Sequence, residues 1–264
     1  MSDLCIKANL SLRKDVLTAL KAAYLKETAK KAKTALAAII KNAAIAKSEK
    51  LAICQDTGMP CVFVELGSEV KISGDLNSAI NKGVEAGYRK GYFRNSIVKD
   101  PLLRGKSVYV PAMIHISITS GSKLKLTVLP KGFGCENKTQ LRMFKPTVGI
   151  SEIKKFIIEA VRSAGPDACP PYVVGVGIGG TADYACLLAK KALLNKVKRQ
   201  KSKGKKLENE LFNELNKLNI GPMGLGGKHT VLGVNIETYP THIAGLPVCV
   251  NISCHALRSA TAAL

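Results

Sequence analysis

The chain has 264 residues, of which 46% are hydrophobic, enough to bury a core as one large domain or two small ones. Its 40 Lys and Arg against 19 Asp and Glu give a net charge of +21, compatible with nucleic acid, an acidic partner chain or a Lys-rich solvated surface; charge alone does not choose. The opening residues lack the apolar stretch of a secretion signal, and no later run approaches the roughly 20 apolar residues of a membrane-spanning helix. A cytoplasmic protein is therefore expected, with its eight cysteines as thiols or metal ligands rather than disulfides.

From Ser11 to about Lys47 the apolar spacing predicts two amphipathic helices, with Val16, Leu20, Ala23 and Tyr24 on one stripe and Leu36, Ile39, Ile40 and Ala43 on the next. Residues 1–50 are expected as a helical N-terminal part, and 51–264 as the remaining core of a single domain. The segment LAICQDTGMPCVFVEL is turn-rich and polar before it enters a β-prone run from Cys61 to Leu66. Asp75 is placed to cap a helix running to about Tyr88, and GYFRNSIVKDPLLRG, containing Arg94 and Arg104, reads as a loop. Alternation over Ile114–Thr119 and Leu124–Leu129 predicts two strands joined as a hairpin across Gly121, the second running into the glycine turn PKGFGCENKT.

A helix is expected from Ser151, with Ile153, Phe156, Ile157, Ala160 and Val161 on one face. After it come a Cys-Pro-Pro turn, a buried strand, a glycine loop and a helix capped by Thr181. The basic run Lys196 to Lys206 precedes a polar helix over Leu207–Leu218. Glycine loops and short strands then lead to the Cys254-His255 pair. The class expected is mixed α/β of the α+β kind, N-terminal helices followed by a sheet-containing core.

Gly175, Gly177 and Gly180 spell G-x-G-x-x-G between a strand and a helix, the local context of a dinucleotide fingerprint. The acidic residue due about 20 positions later is missing from a stretch that is instead basic, which argues against a nicotinamide cofactor. Two readings of the glycines remain: an anion site at a helix N-terminus, or close helix packing. The basic run lacks the interleaved aromatics of single-strand binders, which weakens the reading as a nucleic-acid-binding protein. Cys54, Cys169 and Cys254 lie in polar, turn-like contexts and far apart in sequence, which excludes a local zinc knuckle or a compact ferredoxin run.

Taken in order, ICQDTG, PKGFGCENKT, ACPPY, GIGGT, GLGGKHT and THIAGLPVCVNISCHALR resemble the class I fumarase and tartrate dehydratase family, and they span Leu51 to Arg258. The resemblance implies a [4Fe-4S] cluster held by Cys54, Cys169 and Cys254, with one iron lacking a protein ligand, in glycine-rich loops at the edge of the core. It gives Asp56 the role of catalytic base. It places Gln55, Arg94, Gly134 and His242 around the substrate, with Lys131 and Asn137 behind them. The reaction implied is hydration of fumarate to malate, with tartrate dehydration to oxaloacetate as the alternative. Phe133 and Cys135 depart from the family's usual glycine and small or hydroxyl residue. Single-chain relatives continue into a further domain with more substrate contacts, so the resemblance also implies a separate beta subunit, an α2β2 assembly and a small dicarboxylate substrate.

Overall fold

The computed structural model describes residues 1–197 and 204–264; of the basic run, positions 198–203 lie outside the described residues. In chain order the elements are α1 Ser2–Leu10, α2 Lys14–Lys26, α3 Lys30–Glu49, β1 Met59–Gly67, α4 Leu76–Lys90, β2 Ile97–Asp100, β3 Arg104–Val108, β4 Met113–Thr119 and β5 Leu124–Lys131. There follow α5 Phe133–Glu136, β6 Gln140–Phe144, α6 Ile150–Ala164, β7 Tyr172–Gly180, α7 Ala182–Ala192 and α8 Lys205–Asn216. A short 3-10 turn Pro222–Gly224, β8 Val231–Thr241, β9 Leu246–Ser253 and β10 Ala260–Ala263 complete the chain. The fold is mixed α/β, with N-terminal helices ahead of a sheet core, as expected. Among the described residues, no helix is long and apolar enough to cross a membrane.

The chain divides into two compact units. Unit 1 comprises Met1–Leu12, Ala43–Phe133 and Arg258–Leu264; unit 2 comprises Arg13–Asn42 and Gly134–Leu257. The division falls within α3.

Unit 1 is built on a sheet of order β10-β5-β1-β4. The hairpin expected between β4 and β5 does not form. β1 lies between them, parallel to β4 and antiparallel to β5, with Val62 opposite both Ile114 and Val128. Val62 and Val64 are fully buried, and a strand covered on its faces wants a neighbour on each edge more than a tight turn between sequence neighbours. α1 and α4 pack with this sheet through Leu4, Cys5, Ala8, Ile80, Val84 and Tyr88. Asp75 caps α4 as expected, its carboxylate accepting the N–H groups of Asn77 and Ser78. The stretch expected as a loop after α4 contains the antiparallel ribbon β2–β3.

Unit 2 carries a sheet of order β6-β9-β7-β8, with β7 parallel to β8 and antiparallel to β9. Its core draws Phe156, Ile157, Ala160 and Val161 from α6, Leu211 and Leu215 from α8, and Val174, Ile236 and Val250 from the strands. The glycine sequence expected as a loop is strand. A Cβ on Gly175 would lie 2.1 Å from the Ala189 carbonyl oxygen, and one on Gly177 would lie 2.0 Å from that of Ala185. The fingerprint spacing therefore serves the close approach of α7 to β7, the packing alternative, and forms no phosphate loop.

Candidate functional site

In unit 1 the ICQDTG turn and the KGF turn meet. Gly58 has φ +70°, a conformation that favours glycine, and a Cβ there would lie 2.6 Å from the Lys131 backbone nitrogen. That approach lets the Asp56 carboxylate accept two backbone N–H groups: Gly58 donates to Oδ1 and Phe133 donates to Oδ2, each at 2.8 Å. Asp56 is half-buried, and each oxygen keeps a further lone pair for another donor.

The turn is fastened from below by buried side chains. Arg258, 3% exposed, donates through Nη2 to the Asp56 carbonyl and through Nε to Asn9 Oδ1. The Asn9 carbonyl accepts the Ile53 N–H at 3.0 Å, and its amide donates to the Cys5 carbonyl at 3.1 Å. Tyr88 Oη donates to the Thr57 carbonyl at 2.9 Å, while Thr57 Oγ1 donates to the Arg94 carbonyl at 3.3 Å. Burial raises the Tyr88 phenol far above its ordinary pKa, so it stays a neutral donor. Gln55 and Arg94 are exposed beside this frame, whereas Lys131 is buried, at 1% exposure.

Unit 2 holds the other expected residues, again where motif segments converge. Cys169 sits in the left-handed region, φ 58°, and its carbonyl accepts the His255 N–H at 3.4 Å and faces His255 Nδ1 at 3.0 Å. A carbonyl only accepts, so that ring nitrogen carries the proton. The loops bearing Cys169 and Cys254 are thereby tied together. The Pro170 carbonyl accepts the Met223 N–H at 2.8 Å, which adds the PMGLGG segment. The THIAG loop joins GIGGT: Thr241 Oγ1 donates to the carbonyls of Gly180 and Gly245, at 3.0 and 3.3 Å. Exposed His242 accepts the Ala244 N–H on Nδ1, leaving Nε2–H as its outward donor. Gly134 and Asn137 are exposed, and nothing lies within 4 Å of a Cβ built on Gly134.

All eight cysteines are described, and none forms a disulfide. Cys54, Cys169 and Cys254 are half-buried in turns, as thiolate donors to an iron-sulfur group need to be. Cys5 and Cys249 are buried among apolar groups; burial pushes the Cys5 thiol up to about 12 and raises that of Cys249 strongly, which disfavours both as thiolates. Cys135 is also buried, its thiol donating to the Ala168 carbonyl. In donor chemistry the first three are a better set than Cys5, Cys135 and Cys249. Cys54 belongs to unit 1, Cys169 and Cys254 to unit 2, so neither unit alone supplies three of them. Among the described residues no group of three or more His, Cys, Asp or Glu is arranged to hold a metal ion.

A sequence profile described as fumarate hydratase (Fumerase) matches residues 1–263. The chain belongs to the fumarate hydratase family. Similar proteins include one from Methanocaldococcus jannaschii, provisionally named L(+)-tartrate dehydratase subunit alpha, 39% identical over 96% of this chain and 92% of its own length. L(+)-tartrate dehydratase subunit alpha from Escherichia coli strain K12 is 33% identical over 79% of this chain and 71% of its own. Membership in the fumarate hydratase family makes the chain part of a hydro-lyase.

The sequence reading missed five residues that bear on the site. Arg258 lies inside a quoted motif and is a lone cation in an apolar tail, a legible signal. Asn9 and Tyr88 carry none. Buried Glu27 and half-buried His229 form a pair in unit 2, Glu27 Oε2 accepting from His229 Nδ1 at 3.1 Å and from the Lys228 N–H at 2.9 Å. They fix the GLGGKHT segment, in which the glycines drew attention and the histidine did not.

Proposed function

We propose that this chain is the alpha subunit of a [4Fe-4S] hydro-lyase that reversibly hydrates fumarate to malate and works with a separate beta subunit. The observation that carries the reading is the fixing of Asp56 by two backbone N–H groups and by buried Arg258, two residues from Cys54. Cys54, Cys169 and Cys254 would hold the cluster, which supplies a Lewis acid that assists departure of hydroxide. Asp56 takes the poorly acidic C–H proton in the dehydration direction, and its restrained carboxylate supplies the orientation such a transfer needs. Arg94, with no ion-pair partner among the described residues, offers a two-pronged donor to a substrate carboxylate. Gln55 and the His242 Nε2–H add donors, and Gly134 leaves room for close approach. The α2β2 assembly and a cytoplasmic location belong to the same reading.

The names of the two relatives favour a second substrate, L(+)-tartrate, dehydrated to oxaloacetate by the same groups. The test is to assemble the chain anaerobically with its beta subunit, then measure iron, sulfide and turnover of both substrates. About four irons, with Cys54→Ser, Cys169→Ser and Cys254→Ser each losing them and Cys135→Ser keeping them, is the expected result. A wild-type complex that stays colourless and turns over neither substrate overturns the reading.

A further inference from the structure

The β2–β3 ribbon ends in a tip that is exposed among the described residues. Leu102 and Leu103 are 89% and 85% exposed, and every residue from Lys99 to Lys106 is exposed. Scattered surface leucines need no explanation, but two adjacent ones held out on a built turn do. Asp100 Oδ1 accepts the N–H of both Leu102 and Leu103, each at 2.8 Å. Those two N–H groups hold its carboxyl below the usual carboxylate range, so it is occupied by its own turn at neutral pH. Beneath the tip Ile97 pairs with Val108, the Asn95 amide donates to the Ser107 carbonyl at 3.0 Å, and Phe93 and Ile97 are buried. The backbone that carries the leucines is thus held by its own hydrogen bonds, which lowers the entropy lost on binding.

Their surroundings are cationic. Lys99, Arg104 and Lys106 share the tip with the occupied Asp100, and none of the three forms an ion pair among the described residues. Two leucines ringed by three cations complement an apolar recess rimmed by carboxylates. A second copy of this chain is a poor candidate, since it brings the same net +21. The ribbon starts three residues after Arg94, whose carbonyl is tied to Thr57 in the turn that carries Asp56. The base of the ribbon is therefore anchored at that turn, and its tip projects away from it.

We propose that the β2–β3 ribbon is the docking knob for the beta subunit, seated in an acid-rimmed apolar recess of that chain. The inference rests on the reading that this chain works with a beta subunit. The test mixes the purified chain with purified beta subunit and follows amide exchange, affinity and the salt dependence of association. The expected result is slowed exchange across residues 97–108. Leu102→Ser/Leu103→Ser should weaken binding about tenfold or more with an unchanged thermal midpoint, whereas Leu25→Ser on α2 leaves binding alone. Lys99→Glu/Lys106→Glu should slow association most at low salt.

If the wild-type chain binds the beta subunit while the ribbon stays unprotected and the double serine variant binds equally well, the knob is overturned and the functional reading stands. If the wild-type chain binds no beta subunit and has no hydro-lyase activity, the functional reading itself has failed. Protection that grows with the concentration of this chain alone, or on adding RNA in place of the beta subunit, would overturn the assignment in favour of self-association or nucleic acid.

Discussion

Removing the Arg258 guanidinium leaves the Asp56 carbonyl and Asn9 Oδ1 without their donor in a buried frame. Arg258→Met should cost about 2–3 kcal/mol in urea unfolding, the range for stranding buried acceptors. Arg258→Lys should recover part of that, since an ammonium reaches one acceptor where the guanidinium reaches two. In unit 2 Glu27 is 2% exposed. Burial works against its charge, but hydrogen bonds from His229 and from the N–H groups of Ala29, Lys228 and Thr28 outweigh it, so its pKa is lowered. A carboxyl lowered in the folded state contributes its stability above the unfolded value of about 4.3 and loses it as pH falls through the folded value. Urea midpoints should therefore fall from about pH 5 downward, and less steeply in Glu27→Gln than in the wild type. At this scale the sequence was legible where a motif advertised a residue, as with Asp56 and the DTG turn. Asn9 and Tyr88 were not, because a side chain that fastens a distant backbone leaves no local pattern.

Gly177 decides how closely α7 lies on β7. In Gly177→Ala the new methyl would sit 2.0 Å from the Ala185 carbonyl and 2.6 Å from the Ala189 nitrogen, so the helix must move. A loss of about 2–3 kcal/mol is expected by calorimetry. Gly134→Ala is the contrast: with nothing within 4 Å, its stability should stay within about 0.5 kcal/mol of wild type, and turnover of the assembled complex should fall. The elements themselves were largely readable: α2, α4, α6 and β1 follow from apolar spacing and the Asp75 cap. Their pairing was not. Alternation in β4 and β5 says that both are strands, but β1 separates them, and nothing near Gly121 records a strand that passed some 60 residues earlier. β2–β3 was hidden because its tip lacks a buried face to impose period-two patterning. α1 was hidden because it is only 9 residues long and its apolar residues do not gather on one clear stripe.

The +21 charge and the proposed need for a beta subunit bear on the same question. Alone, the chain should show no turnover of fumarate or tartrate, and activity should appear only when the beta subunit is added; steady-state assays of the separate and mixed chains check this. Unit 1 has another property as a whole. Its sheet runs β10-β5-β1-β4, and its last strand and Arg258 come from the final seven residues, after all of unit 2 has been laid down. On the ribosome the segments of unit 2 are therefore complete before unit 1 can close. The turn bearing Cys54 and Asp56 is among the earlier parts synthesised, yet it waits for one of the last side chains to lock it. A nascent chain stalled just before Arg258 would already carry all eight cysteines while that turn still lacked its strut, so the thiols that have left the ribosome by then are held by an unlocked turn.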